Sequence, residues 1–378
     1  MAQPVVQLKQ QRLSKWGVGT ANFSGIAPIQ GDRYVMVSDK EPEDGFFEFR
    51  IVQNPISGQV EYVGLSEFKG NPRPQLDSRG FTLRDCEGVA YNPSLNTVFI
   101  SGEGDQQILE YGMDGVPTGR GLNIPDEFGV PNIRHNYGFE SLSYDATTGR
   151  FWTTTESTLK SDGDYIHSRN MMATNLLRLQ SFGNDLQPVG QYAYRMDAPG
   201  LQATGRYYCF GVSDLCALPD GRLIVMEREL NVPNDYIGAK SVSRLYIVNP
   251  SREHKIDSST PLSKLSADKF VNKEFLCSVE TEITPLSFSY ANYEGMCLGR
   301  RLDDGRQTLL LVNDSQASVG KGFFHLKDYI KVIVLPYPQI LLSQDFNNRK
   351  SKIFDLKNKR GAHLCASFSC EHLPFLHR

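Results

Sequence analysis

One segment recurs along this chain: an acidic residue, a small residue, alternating apolar residues, a turn, a second apolar strand, then another acidic residue. The copies read DCEGVAYNPSLNTVFISGEGD from Asp85, GFESLSYDATTGRFWTTTEST from Gly138, VSDLCALPDGRLIVMEREL from Val212 and NYEGMCLGRRLDDGRQTLLLVNDSQ from Asn292. A degenerate copy, FSGIAPIQGDRYVMVSDKE, starts at Phe23. Each copy reads as a β-hairpin. Its turn falls at Asn92-Pro93, Thr148-Gly149, Asp220-Gly221 or Asp304-Gly305, and in the Thr-Gly and Asp-Gly turns glycine suits a tight connection needing positive φ. The second strands (TVFIS, RFWTTT, RLIVME, TLLLVN) are short, β-branched and apolar, as strands covered on both faces are.

Less regular strands follow each pair: QILEYGMD, NLLRLQSFG, SRLYIVNP and KVIVLPYP. They suit the outer strands of a four-stranded sheet. The pattern predicts an all-β fold, a β-propeller of four-stranded antiparallel blades, because radial repetition of small sheets leaves few exposed edges. Five repeats are visible; a sixth blade has room in residues 251–290 or in a blade shared by the two termini. A two-sheet sandwich would not explain why one hairpin returns with the same polar ends. A single propeller is expected over 1–342. Residues 343–378, Asn/Lys/Arg-rich and then HLCASFSCEHLPFLHR, read as a peripheral tail.

Composition narrows the partners. The 33 Gly, 20 Pro and 11% aromatic residues fit many strands and turns. A net charge of −3 supplies no basic field for nucleic acid. No apolar run approaches the roughly 18 residues of a membrane span. The opening MAQPVVQLKQQ has neither the charged nor the apolar region of a signal peptide. The seven cysteines show no CxxC pair and no zinc-like spacing. Cys86, Cys216 and Cys297 lie inside the repeats and read as buried thiols. Pairings of Cys365 with Cys370, or of Cys209 with Cys216, stay open.

The polar ends of the repeat carry the chemistry. Glu87, Glu140, Asp214 and Glu294 head the first strands, with Ser24 in the degenerate copy. Glu103, Glu156, Glu227 and Asp314 close the second strands, with Asp39 in the degenerate copy. The start of one hairpin strand and the end of the other share one end, so these groups are expected at one mouth of the central channel. Like charges held close raise each other's pKa and destabilise the fold unless something compensates. A cation does this best, and an all-oxygen set at a flexible site suits Ca²⁺ ahead of Zn²⁺ or Cu²⁺. The eight acids other than Asp39 are therefore expected as metal ligands. The alternative is structural, with the carboxylates accepting backbone N–H bonds that tie blades together. Lys40, Arg84, His135 and Arg228 stand near the same ends and are expected to contact an anionic substrate such as a phosphate.

No nucleophile elbow, H-E-x-x-H, P-loop or dinucleotide fingerprint is present. The stretch SDGDYIHSRN from Ser161 reads as an inserted surface loop or, more sharply, as a lid over the site.

The segments CEGVAY, FESLSY with WTTTE, LIVMER, and NYEGMCL with LLLVND resemble the phytase-like propeller family, described as having esterase-like activity of phytase. The resemblance spans about residues 20–335. It implies a secreted or periplasmic protein in which Ca²⁺ assists phosphoester or ester hydrolysis. Its motifs fall on Glu87, Glu140, Glu156, Glu227, Arg228, Glu294 and Asp314. The expected protein is a monomeric metal-dependent hydrolase of a small, phosphorylated substrate, with Glu87, Glu140, Glu227, Arg228 and Glu294 as the catalytic group. A non-catalytic binding propeller with structural cations, or a lactonase-like ester hydrolase on the same scaffold, are the alternatives, since propellers host all three.

Overall fold

The computed structural model describes residues 4–19, 22–39, 41, 43–76, 78, 83–205, 207–234, 236–285, 287–315, 320–321 and 324–336. Val5–Leu335 form one compact unit; the second unit, Met1–Pro4 with Pro336–Arg378, lies almost wholly outside the described residues. The expected tail 343–378, with Cys365 and Cys370, is among those.

The N-terminal strands are β1 (Val6–Gln7) and β2 (Gln11–Arg12). Blade 1 holds β3 (Phe23–Gln30), β4 (Arg33–Ser38), β5 (Gly45–Gln53) and β6 (Val60–Gly70). Blade 2 holds β7 (Cys86–Asn92), β8 (Thr97–Gly102), β9 (Ile108–Gly112) and β10 (Pro117–Gly121). In blade 3, β11 (Ser143–Asp145), β12 (Arg150–Thr153), β13 (Leu176–Phe182) and β14 (Pro188–Arg195) are extended at the edge by β18 (Lys255–Ile256). Blade 4 runs β15 (Tyr207–Ala217), β16 (Leu223–Val232), β17 (Lys240–Val248) and β19 (Lys273–Thr284), with β20 (Ser287–Phe288) beside it. Blade 5 holds β21 (Asn292–Arg301) and β22 (Gln307–Asp314); after the short ribbon β23 (Gly320–Lys321) and β24 (Phe324–His325) comes its third strand, β25 (Tyr329–Val334). Both β1 and β2 pair with β25, so the two ends of the propeller unit share blade 5.

The blade number is therefore five. Residues 251–290 hold no sixth blade: they supply the edge strand of blade 3 and the outer strands of blade 4. The innermost strands β3, β7, β11, β15 and β21 meet in a closed ring, with β21 against β3. Backbone passes backbone there. A Cβ on Gly25 would lie 2.4 Å from the Glu87 carbonyl, and one on Gly88 2.5 Å from the Leu142 amide. That close approach is the physical reason for glycine after the acid in the E-G motif. Three of the hairpin turns place glycine at positive φ, namely Gly149, Gly221 and Gly305. In the Asn92 turn the left-handed residue is instead Asn96.

The core lies between blades rather than within one layer. Val35, Val37 and Phe46 of blade 1 pack on Val89, Val98 and Ile100 of blade 2. Phe99 meets Phe151 of blade 3 with ring centroids 4.6 Å apart. Both sheet faces are thus buried, as the unbroken apolar runs require. Among the described residues Cys86, Cys209, Cys216, Cys277 and Cys297 are buried and unbridged, so Cys209 and Cys216 form no disulfide. The SDGDYIHSRN stretch is not a loose surface loop. Asp162 is wholly buried in an ion pair with Arg178 at 2.7 Å, and Ile166 joins the core between blades 3 and 4. No helix of the described residues is long and apolar enough to cross a membrane.

Candidate metal centre at the channel mouth

The hairpin register decides which side chains reach the channel. Each first strand carries one extra residue opposite its partner, a β-bulge: Ser24 in blade 1, Ser213 in blade 4 and Glu294 in blade 5, with Glu87-Gly88 facing Ser101 in blade 2. A bulge re-aims its side chain out of the ladder. The residue before each bulge pairs with Ser38, Gly102, Glu227 or Asn313, and in blade 3 Phe139 pairs with Thr155. One residue further on come Asp39, Glu103, Glu156, Arg228 and Asp314.

These side chains line a cavity of about 470 Å³. Eight carboxylates face it: Asp39, Asp85, Glu87, Glu103, Glu140, Glu156, Glu294 and Asp314. Arg228 is the one cation lining it among the described residues. Carboxylate oxygens gather within 4.8 Å of one another in two groups, Asp39/Asp85/Glu87 and Glu87/Glu103/Glu140, so Glu87 belongs to both. Glu87 and Glu140 are 6% and 8% exposed and make no hydrogen bond or ion pair with a described residue. Burial, then the charges of Glu140, Asp85 and Glu103, push Glu87 well above the ordinary carboxylate range. Burial with Glu156 and Glu103 does the same to Glu140. Glu103 is pushed up to about 7, mainly by burial, although it accepts the Gly138 N–H at 2.9 Å.

Arg228 neutralises the other arc. Its Nη1 donates to Glu294 Oε1, and its Nη2 donates to Glu156 Oε1 at 2.5 Å. The Cys209 thiol donates to that same Glu156 oxygen at 3.0 Å. All these groups are buried, so the guanidinium and its two carboxylates form one low-dielectric unit.

Two expected ring acids stand elsewhere. Asp214 occupies the position of Gly88 and Gly295, one residue past the bulge. There its buried carboxylate accepts backbone N–H bonds from Leu215 at 2.8 Å and Met296 at 2.5 Å, and one from Leu142. It ties blades 3, 4 and 5 together. Glu227 points away from the cavity and accepts from Tyr194 Oη at 2.6 Å and Lys273 Nζ at 2.6 Å. The cause is a one-residue slip, which sends a strand side chain to the opposite face. In blade 4 the mouth positions are Ser213 and Arg228.

The expected substrate contacts divide likewise. Arg84 is buried in a 2.5 Å ion pair with Asp105 and donates to the Ile100 carbonyl, fixing the loop after β8 rather than lining the cavity. His135 is exposed, and its neighbour Asn136 lines the cavity instead. Lys40 lies outside the described residues. Asp85 was not among the expected ligands; it sits in the left-handed region at φ 52°, directly before Cys86-Glu87.

Beside the acids the cavity has an apolar wall. The β15–β16 hairpin stays paired beyond Val212↔Glu227, through Gly211↔Arg228 to Tyr207↔Val232, whereas the blade 2 hairpin ends at Cys86↔Gly102. Tyr207, Leu230 and Val232 of this extension line the cavity with Tyr236, Ile283 and Tyr290.

Solved structures similar to the chain include luciferin-regenerating enzyme (12% identity, TM-score 0.39, 87% of this chain and 95% of that one). Others are the PQQ-bound aldose sugar dehydrogenase of Streptomyces coelicolor (13%, 0.38, 87% and 97%) and virginiamycin B lyase of Staphylococcus aureus (10%, 0.34, 88% and 99%). Likenesses this distant carry neither activity nor ligand to this chain. No curated protein matches it in sequence. A family profile matches residues 18–316, most of the chain and all four clear repeats, under the description "Esterase-like activity of phytase". The chain belongs to the phytase-like family.

Proposed function

We propose that the protein is a Ca²⁺-dependent hydrolase of phosphoesters or related esters, with its site at the acidic mouth. The observation that carries this reading is the pair of carboxylate groups sharing Glu87, in which Glu87 and Glu140 are buried without partners among the described residues. The donor set fits a hard cation: every candidate ligand is a carboxylate oxygen, and no imidazole or thiolate joins either group. So many carboxylates exceed what octahedral Mg²⁺ uses and match the six to eight oxygens that Ca²⁺ takes. Asp39, Asp85, Glu87, Glu103 and Glu140 would hold it. A bound cation polarises a substrate oxygen and lowers the pKa of a coordinated water.

The chain's own groups complete the site. Arg228, fixed between Glu156 and Glu294, places positive charge across the cavity and would orient an anionic ester. Glu156 lies outside both carboxylate groups and is held by that guanidinium, so it is the candidate general base. The apolar wall would exclude water from one side. Nothing in this scheme calls on a second chain, and a monomer is proposed. A secreted or periplasmic setting suits it, since extracellular Ca²⁺ modules work at Kd of roughly 10⁻⁴–10⁻³ M.

A binding propeller with structural cations is the second reading. Asp214 favours it, because it shows a repeat carboxylate spent on backbone N–H groups. A panel of phosphomonoesters, phosphodiesters, carboxylic esters and lactones, assayed in Ca²⁺ and in chelator, separates the two. The hydrolase reading expects Ca²⁺-dependent turnover that collapses in Glu87→Gln and Glu140→Gln. Turnover absent throughout, or unchanged in both variants, would leave the binding module as the better account.

A further inference from the structure

The cavity wall is not uniformly apolar, because tyrosines bring hydroxyls to it. Tyr290 is buried, at 7% exposed, whereas Tyr207 is 56% exposed. Tyr290 lies in the link between β20 and β21, and that link is pinned. The buried Thr281 hydroxyl of β19 donates to the Ala291 carbonyl at 2.9 Å and accepts the Ala291 N–H at 3.0 Å. Both backbone polar groups of the residue after Tyr290 are therefore fixed. Two residues on from Tyr290, Asn292 Oδ1 lies 3.5 Å from Arg228 Nη1, and Asn292 Nδ2 donates to Glu294 at 2.6 Å. This places Tyr290 on the guanidinium side of the cavity.

A buried phenol hydroxyl ordinarily finds a partner. Tyr194, Tyr208 and Tyr246 do so, each donating to a carboxylate, at 2.6, 2.9 and 2.6 Å. The Tyr290 hydroxyl donates to no described residue, and it opens on the cavity rather than being sealed in the core. Burial raises its pKa above the ordinary phenol value, so it remains a donor at any working pH. Whatever displaces water from this hydroxyl must offer an acceptor in exchange, or the donor is left unsatisfied.

We propose, on the hydrolase reading above, that the Tyr290 hydroxyl donates to an oxygen of the bound ester on the Arg228 side of the cavity, which makes Tyr290 a substrate-contacting residue. A donor held in place before the substrate arrives needs no reorganisation as negative charge builds on that oxygen. Thr281 supplies the holding, through both polar groups of Ala291.

The full-length protein should be compared with Tyr290→Phe in three measurements: urea unfolding in chelator, calorimetric titration of inorganic phosphate in Ca²⁺, and turnover of para-nitrophenyl phosphate in Ca²⁺. The substitution keeps the ring and removes no hydrogen bond among the described residues, so the urea midpoint should not fall. Phosphate should bind about tenfold more weakly, as for loss of a hydrogen bond to a charged acceptor. The variant's kcat should fall about a hundredfold, as when one donor to a developing oxyanion is removed. A lowered urea midpoint with phosphate binding intact marks a structural hydroxyl and overturns the proposal. So do unaltered binding and turnover in the folded variant, or a wild type that takes up no phosphate. Should no ester be hydrolysed while phosphate binding weakens as expected, Tyr290 stands and the hydrolase reading falls.

Discussion

In blade 2 the repeat delivers Glu87 and Glu103 to the cavity; in blade 4 the equivalent positions hold Ser213, whose hydroxyl donates to the Tyr293 carbonyl, and Arg228. The two hairpins share the bulge and the register around it, yet one brings paired acids and the other a cation. The ring is therefore not a symmetric carboxylate collar. It is an acidic arc contributed by blades 5, 1, 2 and 3, closed by a guanidinium from blade 4 that holds Glu156 and Glu294. Blade 4 also continues past the mouth as the apolar wall, so a single blade supplies both the charge contrast and the cavity's second side.

Breaking that contrast at its cation should have the largest effect. Arg228→Met leaves Glu156 and Glu294 buried without their counter-charge, and removing one partner of a buried pair costs about 3–5 kcal/mol. Urea unfolding in chelator should show that loss, with Arg228→Lys recovering part of it. Next comes the blade 4 staple. Asp214→Ala removes the acceptor for the Met296 and Leu142 amides and should cost about 1–3 kcal/mol, while turnover per folded molecule is kept.

The acidic arc gives a pH signature of its own. Glu87, Glu140 and Glu103 are all raised in the folded protein. A carboxyl raised on folding contributes stability that is fully present below its unfolded pKa, about 4.3, and lost as pH rises through its folded one. For Glu103 that upper limit is about 7. In chelator the melting midpoint should therefore fall between pH 5 and 8. Ca²⁺ should flatten the curve, since a cation favours the ionised acids, and an equally steep fall in its presence would argue against a site there. The smallest effect belongs to His135→Ala: an exposed side chain off the cavity should change stability by less than about 0.5 kcal/mol and leave the Ca²⁺ response unaltered.

Much of this was legible in the sequence because local chemistry repeats. Gly149, Gly221 and Gly305 mark turns that need positive φ, and the apolar second strands require cover on both faces. The recurring acids of blades 2, 3 and 5 reach the mouth because their strands keep one register. Blade 4 misleads for a physical reason. Ser213-Asp214 and Glu227-Arg228 each offer an acid beside the true mouth position, and choosing by residue type picks the acid. Matching Leu215-Cys216 to Val89-Ala90 instead places Asp214 opposite Gly88 and restores Ser213 and Arg228. Asp85 carried no signal of its own, since its place depends on a left-handed backbone before the strand. The wall was hidden for another reason: strand length beyond the mouth is set by pairing, and only the 11- and 10-residue spans of β15 and β16 hint at it.

The central claim is that the arc around Glu87 is a cation site, and calorimetric titration of Ca²⁺ into the wild type and Glu87→Gln tests it most directly. The account expects saturable binding by the wild type, with proton release growing below about pH 7, and loss of that binding in Glu87→Gln. No heat at millimolar Ca²⁺, or an isotherm unchanged in Glu87→Gln, would contradict it.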